Sequence, residues 1–342
     1  MTSTFHSPRP LGKNGPVVPA LGFGLMMMTS PSYGILPTDD ERFALLDRAV
    51  EIGATFWDTS DFYGDNEELL AKWFKKTGKR DQIFLASKFG YVRGSKTLEI
   101  DSSAQYCKKA CDVTLKTLGI ESIDLYYAHN VDTVTPIEET MRALLELQAE
   151  GKIKHIGLSM VSSNALRRAS KIGAVTAYQP GYSLFDREIE GPNGTDALAT
   201  CRELGIAIVA ATPLSRGLLT SSFSGGDPVG STDSRGMMPR FQEGQREHNA
   251  KVAEQIKAVA DKKGCTLSQL ALAWLLKQGN DIFPIPGTRR IKYLEENWRA
   301  LEISLTDEEE AGIRAIIGKT PVAGGSVPPQ FTTLIFRDTK EE

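Results

Sequence analysis

One alternation runs the length of this sequence and constrains the fold more than any single motif. Short apolar, largely β-branched runs occupy Ala20–Gly24, Thr55–Asp58, Ile83–Ser87, Ile123–Ala128, Lys154–Ser159, Ala174–Gln179, Ile206–Ala210 and Ile282–Ile285. Runs this short and this apolar read as strands covered on both faces. Amphipathic segments with helix start signals lie between them. Thr38-Asp39-Asp40-Glu41 reads as a capping box ahead of Phe43, Leu46 and Val50, and the pattern returns at Ser102 to Gln105, Thr266 to Gln269 and Thr306 to Glu309. Thr135-Pro136-Ile137-Glu138 adds Pro at the first helical position, and Gly151 stops that helix. Strands separated by helices imply parallel βαβ units. Eight of them in 342 residues predict an α/β fold of the (β/α)8 TIM-barrel type. A doubly wound sheet would place Gly-x-Gly-x-x-Gly after its first strand. Here Gly22-Phe23-Gly24 is followed by Leu25, Met26 and Met27, so that fingerprint fails.

Three stretches fall outside the rhythm. Gly12 to Pro19 predicts a small hairpin turning at Asn14-Gly15. Ser221 to Glu247 is a long Gly-, Ser- and Asp-rich loop after the seventh barrel strand, expected to be loosely held until a ligand binds. The barrel core is expected over about residues 10–318 of a single domain spanning 1–342, with 319–342 as a C-terminal extension. Its apolar patch at Phe331–Phe336 suits folding back onto the barrel.

Composition removes several function classes. Lys and Arg number 40 against 43 Asp and Glu, so the basic excess of a nucleic-acid binder is missing. The longest unbroken apolar run, Leu270–Leu276, is far too short to span a bilayer. The polar start, Met1 to Pro10, offers no secretory apolar stretch, so a cytoplasmic location is expected. The four cysteines form no Cys-x-x-Cys pair. Cys107 and Cys111 continue an apolar stripe through Leu115 and Leu118, which makes them core residues and leaves no metal site expected.

In such a barrel the active site gathers at the carboxyl ends of the strands. The second strand ends at Asp58 with Tyr63 on the loop beyond it, the third at Lys88 and the fourth at His129. Singly, each has a bland reading: a cap, a loop anchor, a surface charge, a satisfied core histidine. Three neighbouring strands delivering all four to one rim is a constellation. A phenol is a weak acid near neutrality, with a reference pKa of about 10. A nearby ammonium favours the phenolate, a carboxylate keeps the ammonium charged and aimed, and an imidazole orients a carbonyl oxygen. The set suits protonation of a carbonyl oxygen as it becomes an alkoxide. Hydride has to come from outside, from a nicotinamide.

Phe56-Trp57-Asp58-Thr59-Ser60-Asp61-Phe62-Tyr63-Gly64, Ala86-Ser87-Lys88 and Tyr126-Tyr127-Ala128-His129 resemble the aldo-keto reductase superfamily. The resemblance continues, in order, through Ile156-Gly157-Leu158-Ser159, Tyr178-Gln179-Pro180, Thr212-Pro213-Leu214-Ser215-Arg216-Gly217, Ile285-Pro286-Gly287-Thr288-Arg289 and Tyr293 to Asn297. Among branches it is most similar to the microbial and fungal pyridoxal reductases and aryl-alcohol dehydrogenases. It implies NADPH-dependent reduction of an aldehyde or ketone, with Tyr63 as general acid, Lys88 its partner, Asp58 the partner of Lys88, and His129 orienting the carbonyl. It further implies Ser159 and Gln179 at the nicotinamide carboxamide, and Gly24, Leu25 and Met26 beside its ribose. Thr212, Pro213, Leu214, Ser215 and Arg216 would follow the pyrophosphate. Gly287, Thr288, Arg289, Tyr293, Glu296 and Asn297 would hold the adenosine end. The guanidinium of Arg289 suits a 2′-phosphate, hence NADPH over NADH.

Two positions depart from the family pattern. Met160 stands where an Asn usually follows the serine, and Ala211 where an aromatic ring often stacks on the nicotinamide. For the substrate pocket the sequence offers Met27, Tyr33, Trp57 and Phe89, with Met26, Met28 and Tyr91 nearby, an apolar set suited to hydrophobic carbonyls. The partner expected is a small-molecule carbonyl, with neither nucleic acid nor membrane. The alternative is a nicotinamide-binding regulatory module of slow turnover, resembling channel β subunits. A barrel isomerase or hydrolase lacks a metal cluster or nucleophile–base motif.

Overall fold

A computed structural model describes residues 8–30, 36–95, 97–192, 196–221, 223 and 233–342. Strands β1 (Arg9–Pro10) and β2 (Val17–Val18) pair antiparallel, with Asn14 in the left-handed conformation at the turn. The remaining strands are β3 (Phe23–Gly24), β4 (Phe56–Asp58), β5 (Phe84–Phe89), β6 (Ile123–Ala128), β7 (Ile153–Ser159), β8 (Ala177–Gln179), β9 (Ala207–Ala210) and β10 (Ile282–Pro284). They form one eight-stranded sheet in sequence order, every neighbour parallel. Gly22 N–H donates to Pro284 O at 2.9 Å and Gly24 N–H to Pro286 O at 3.2 Å, joining the first barrel strand to the last. This is the expected (β/α)8 barrel. The closing seam explains the glycines that imitate half a dinucleotide fingerprint. A Cβ on Gly24 would sit 2.7 Å from Ile285 O, so the residue is small because another backbone passes there.

The helices are α1 (Met26–Thr29), α2 (Asp39–Glu51), α3 (Asn66–Thr77), α4 (Ala104–Leu118), α5 (Ile137–Ala149), α6 (Ser163–Ile172), α7 (Ala197–Leu204), α8 (Gln245–Lys263), α9 (Leu267–Lys277), α10 (Ile291–Trp298) and α11 (Asp307–Lys319). Thr38, Thr266 and Thr306 form reciprocal capping boxes as expected. Two starts differ by one residue. Ser103, not Ser102, caps α4, because the Ser102 hydroxyl is bonded to Asp132 at 2.8 Å. Pro136 is the cap of α5 rather than its first residue, since the Thr135 hydroxyl also donates to Asp132.

Period-two alternation along the strands separates two cores. Phe56, Ala86, Leu125, Tyr127, Val209 and Phe283 fill the barrel, where Leu11 and Val18 of the hairpin join them. The opposite faces pack against the helices, with Cys107 and Cys111 fully buried there beside Phe89 and Tyr126. The chain after α11 folds back: Arg337 bridges Val161, Thr339 accepts from Ile137 N–H at 3.0 Å, and Arg168 donates to Thr339 O at 2.9 Å.

The loop after β9 corrects one expectation. Residues 222 and 224–232 lie outside the described residues, but the stretch between them and α8 is firmly packed. Met238, Arg240 and Phe241 are buried, and Arg240 pairs with Asp186 at 2.8 Å with both side chains 5% exposed. The polar composition of the segment concealed these few anchors.

Candidate active site

Asp58 is the last residue of β4, and alternation turns it inward like Phe56 while Trp57 points to the helices. Its Oδ1 is ion-paired with the Lys88 ammonium in a close contact, and its Oδ2 accepts from Gln179 Nε2 at 2.8 Å. Lys88 also donates to Thr59 O at 2.7 Å and has no exposed surface. Burial pulls its pKa down, and the charge of Asp58 opposes that pull. The ammonium lies 5.1 Å from the centroid of the Tyr63 ring. Tyr63 is held by its backbone: its N–H donates to Ser60 O at 3.1 Å, and its carbonyl accepts from Thr29 Oγ1 at 2.6 Å. Gly64 comes next at φ 56°, where a Cβ would meet Thr29 O at 2.9 Å.

His129 leaves the end of β6, and its ring meets Tyr63 edge-on at 5.7 Å and Tyr91 edge-on at 5.1 Å. Desolvation, reinforced by the charge of Lys88, holds its pKa well below the usual imidazole value. The imidazole is therefore neutral at neutral pH. Its Nδ1 is 3.0 Å from Ser60 Oγ. The four residues expected on one rim are thus one contiguous cluster, tied together by charge, hydrogen bonds and ring contacts.

The other side of the rim is made chiefly by backbone. Ser159 at the end of β7 donates its hydroxyl to Gln179 O at 2.8 Å, so Ser159, Gln179 and Asp58 form a connected chain. Beyond β9, Thr212, Ser215 and Arg216 have φ of 49°, 48° and 57°. Left-handed backbone is costly for residues with a Cβ and persists where the surroundings fix it. Ser215 is fixed by Ser183 Oγ at 2.7 Å and Asp186 Oδ2 at 3.2 Å. Leu214 at φ −106° and ψ 19°, then a left-handed Ser215, is the alternation from which anion-cradling nests are built. The segment borders a cleft shared with Met160, Gly181 and Phe336. Arg216 lines the same cleft, a cation of the kind that suits the phosphates of a dinucleotide.

After β10, Gly287 bridges Gly24, and Thr288 is buried with its hydroxyl accepting from Arg290 N–H at 3.1 Å. Arg289 reaches back across the seam, donating to Met27 O and Ser30 O at 2.6 Å each. The seam thus brings Gly24, Met27, Gly287 and Arg289 together. Tyr293 is exposed on the first turn of α10 and Asn297 is buried on its last. Glu296 accepts from Thr266 Oγ1 at 2.8 Å, so one of its oxygens is engaged in docking α10 on α9. Leu25 contributes backbone to this region, since its side chain is buried in the helix-side core.

Two expected pocket residues are corrected. Trp57 is fully buried between barrel and helices, 5.0 Å from Trp73, with its indole N–H on Ala54 O. Phe89 is likewise fully buried, stacked on Tyr126 at 5.3 Å. Both sit one step out of phase with the inward Asp58 and Lys88, and alternation could have identified them as core. Met27 is half-buried beside Gly287; Tyr33 lies outside the described residues. Sequence reasoning missed Phe62, which is 40% exposed and stacked on Tyr91 at 4.6 Å. It also missed Asn130, which donates to Leu334 O at 3.0 Å and brings the C-terminal segment to the rim. Both adjoin catalytic candidates in sequence, the only signal they offered.

Among the described residues no helix is long and apolar enough to cross a membrane, and no group of acidic, His and Cys side chains is arranged to hold a metal. Comparison with known proteins agrees with the geometry. The Aldo/keto reductase family matches residues 20–317. An aldo-keto reductase of Schizosaccharomyces pombe, named with NADP(+), is 44% identical over 94% of this chain and 95% of its own length. A second, from Strobilurus tenacellus, is 44% identical over 93% of this chain and 94% of its own length. The solved structure of a glycerol dehydrogenase from Gluconobacter oxydans superposes with a TM-score of 0.83 at 25% identity, covering 96% of this chain and 99% of that one. The family model spans most of this parallel barrel and both relatives match along nearly their whole length, so the chain belongs to the aldo/keto reductase family.

Proposed function

We propose that this chain reduces an aldehyde or ketone to an alcohol at the expense of NADPH, with Tyr63 as the general acid. The observation that carries this reading is the Asp58–Lys88 ion pair, buried with the ammonium 5.1 Å from the Tyr63 ring centroid. When bound, the nicotinamide supplies the hydride that reduces the carbonyl carbon. Tyr63 gives its phenolic proton to the carbonyl oxygen as negative charge develops there. Lys88 stabilises the tyrosinate left behind, and Asp58 keeps Lys88 charged against the cost of burial. A neutral His129 donates an N–H to the same oxygen and orients it. Ser159 and Gln179 hold the nicotinamide carboxamide, Thr212 to Arg216 the pyrophosphate, and Gly287 to Asn297 the adenosine end.

Arg289 is the proposed 2′-phosphate ligand. The carbonyls of Met27 and Ser30 pre-position its guanidinium, which lowers the ordering cost of binding. Phe62 and Tyr91 form an aromatic wall next to His129, favouring aromatic and other hydrophobic carbonyls. The test is steady NADPH oxidation with a panel of aldehydes, ketones and pyridoxal. Sustained turnover with hydrophobic members is expected. Tight NADPH binding with no turnover on any of them would assign the chain to the regulatory alternative, and absence of NADPH binding would reject both.

A further inference from the structure

Ser60 and Asp61 take no part in the reaction as derived above, yet both are buried directly behind His129. The Ser60 hydroxyl has three neighbours: His129 Nδ1 at 3.0 Å, Asp61 Oδ1 at 3.3 Å, and the N–H of Phe62, which donates to it at 3.1 Å. A hydroxyl has one proton and two acceptor sites. One acceptor site belongs to Phe62, so the proton goes either to His129 or to Asp61. The choice has a chemical consequence. If Ser60 donates to Nδ1, the neutral imidazole carries its proton on Nε2 and has a donor left for a carbonyl oxygen. If Ser60 donates to Asp61, Nδ1 must be the protonated nitrogen. Nε2 is then a lone pair and repels that oxygen.

We propose that Ser60 is a positioning residue that selects the tautomer of His129, and that the protonation state of Asp61 decides which way the Ser60 hydroxyl points. A protonated Asp61 donates to Ser60 Oγ, and Ser60 then donates to Nδ1, leaving Nε2–H for the substrate. An ionised Asp61 takes the Ser60 proton, and His129 flips to the unproductive tautomer. In the switch Asp61 passes its proton to Ser60 Oγ, Ser60 passes its own to His129 Nδ1, and the Nε2 proton leaves to solvent, so the net change is the loss of one proton.

The surroundings of Asp61 place the switch near neutrality. Its side chain is fully buried, and among the described residues no donor is hydrogen-bonded to Oδ2. Arg93, from the loop after β5, is 3.6 Å from that oxygen but is bonded more closely to Glu67 of α3, which faces Asp61 with like charge. Lys88 of β5 adds a favourable charge from further off, while Tyr126 of β6 and Tyr106 of α4 face it as neutral phenols. Desolvation outweighs Arg93, and the carboxyl is pushed up to about 7.

This inference rests on the reductase reading, so its test includes a readout independent of turnover. The chain has four histidines, which makes side-chain ¹⁵N spectra tractable, and the ring-nitrogen shifts report the tautomer directly. In the wild-type protein, His129 is expected to pass from Nε2–H to Nδ1–H as pH rises through about 7. In Asp61→Asn, with the amide oxygen toward Arg93 and its N–H toward Ser60, it stays Nε2–H throughout. In kinetics, kcat of the wild type falls by about tenfold across that range, Asp61→Asn loses this limb, and Ser60→Ala lowers kcat by about tenfold with NADPH affinity unchanged. A single tautomer of His129 at every pH in the wild type overturns the proposal, whatever the activity. So does a pH profile unaltered by Asp61→Asn in an active enzyme. Failure of every carbonyl as substrate, with the tautomer switch intact, would instead strike the reductase reading alone.

Discussion

The two sides of the barrel rim are built by different means. From β4 to β6 the site consists of side chains: a fully buried ion pair, a phenol and a desolvated imidazole, each leaving the end of a strand or the turn just beyond it. From β9 to β10 it consists of backbone: three left-handed residues between Thr212 and Arg216 and a close seam between Gly24 and Gly287. The arginines there are held by main-chain carbonyls or, like Arg240, by a buried carboxylate. Proton transfer needs shifted acidities, which burial and charge partners supply. Holding a phosphate, the role proposed for the second side, depends on backbone shape and on the cations that the shape positions. The difference implies that the first side breaks by loss of chemistry and the second by loss of shape.

The sharpest break on the first side is Tyr63→Phe. It removes the proposed acid while keeping the ring that packs edge-on against His129. General acid catalysis is worth roughly 10²–10⁴-fold, so kcat should fall by that order while NADPH affinity, measured by fluorescence titration, stays nearly unchanged. Turnover near wild type would remove Tyr63 from its role and dissolve the contrast between the two sides.

On the second side, Arg240→Ala leaves Asp186 buried without its cation. Breaking a buried pair this way typically costs about 3–5 kcal/mol of stability. Because Asp186 also holds Ser215, NADPH affinity should weaken together with stability in chemical denaturation. At saturating cofactor kcat should be nearly preserved. An equal fall in kcat at saturation would show that the two sides are coupled.

Arg289→Ala separates charge from shape more finely. Loss of a charge-assisted contact to the 2′-phosphate typically costs about 1.5–3 kcal/mol, roughly 10–150-fold in NADPH affinity, with NADH little affected. Arg289→Lys keeps the charge but loses the fork that reaches both Met27 O and Ser30 O, so it should recover only part of the loss. Equal weakening toward both cofactors would reduce Arg289 to a brace of the α1 segment.

The same contrast explains what could be read in the sequence. All eight barrel strands were visible, because a strand covered on both faces has to be an apolar run, and Thr38, Thr266 and Thr306 announced their helices. Asp58, Lys88 and His129 were legible because barrel geometry gathers inward-facing residues at the carboxyl ends of the strands to the rim. Trp57 and Phe89 were misplaced because proximity in sequence was allowed to outweigh alternation. Left-handed Thr212, Ser215 and Arg216 carry no compositional mark, since the loop is conformed by its contacts to Ser183 and Asp186 from the neighbouring strand's loop. That partnership exists only after folding. The packing of Met238 and Phe241 was hidden for the same reason.

The smallest expected effect concerns Phe62, which belongs to neither mode of construction. Its ring is 40% exposed, stacks on Tyr91 at 4.6 Å, and through Tyr91 adjoins His129. Asn130 reaches the same Tyr91 hydroxyl at 3.4 Å while holding Leu334 O, so the wall is braced from the C-terminal segment. An aromatic contact of this kind contributes about 0.5–1.5 kcal/mol beyond its area burial. Phe62→Ala should therefore raise KM for an aromatic aldehyde by roughly 2–12-fold, at ~1.4 kcal/mol per tenfold. KM for a short aliphatic aldehyde and the affinity for NADPH should stay near wild type. KM rising equally for both aldehydes would mean that Phe62 supports the position of Tyr63, its neighbour in sequence, and the aromatic wall would then belong to the catalytic side of the rim.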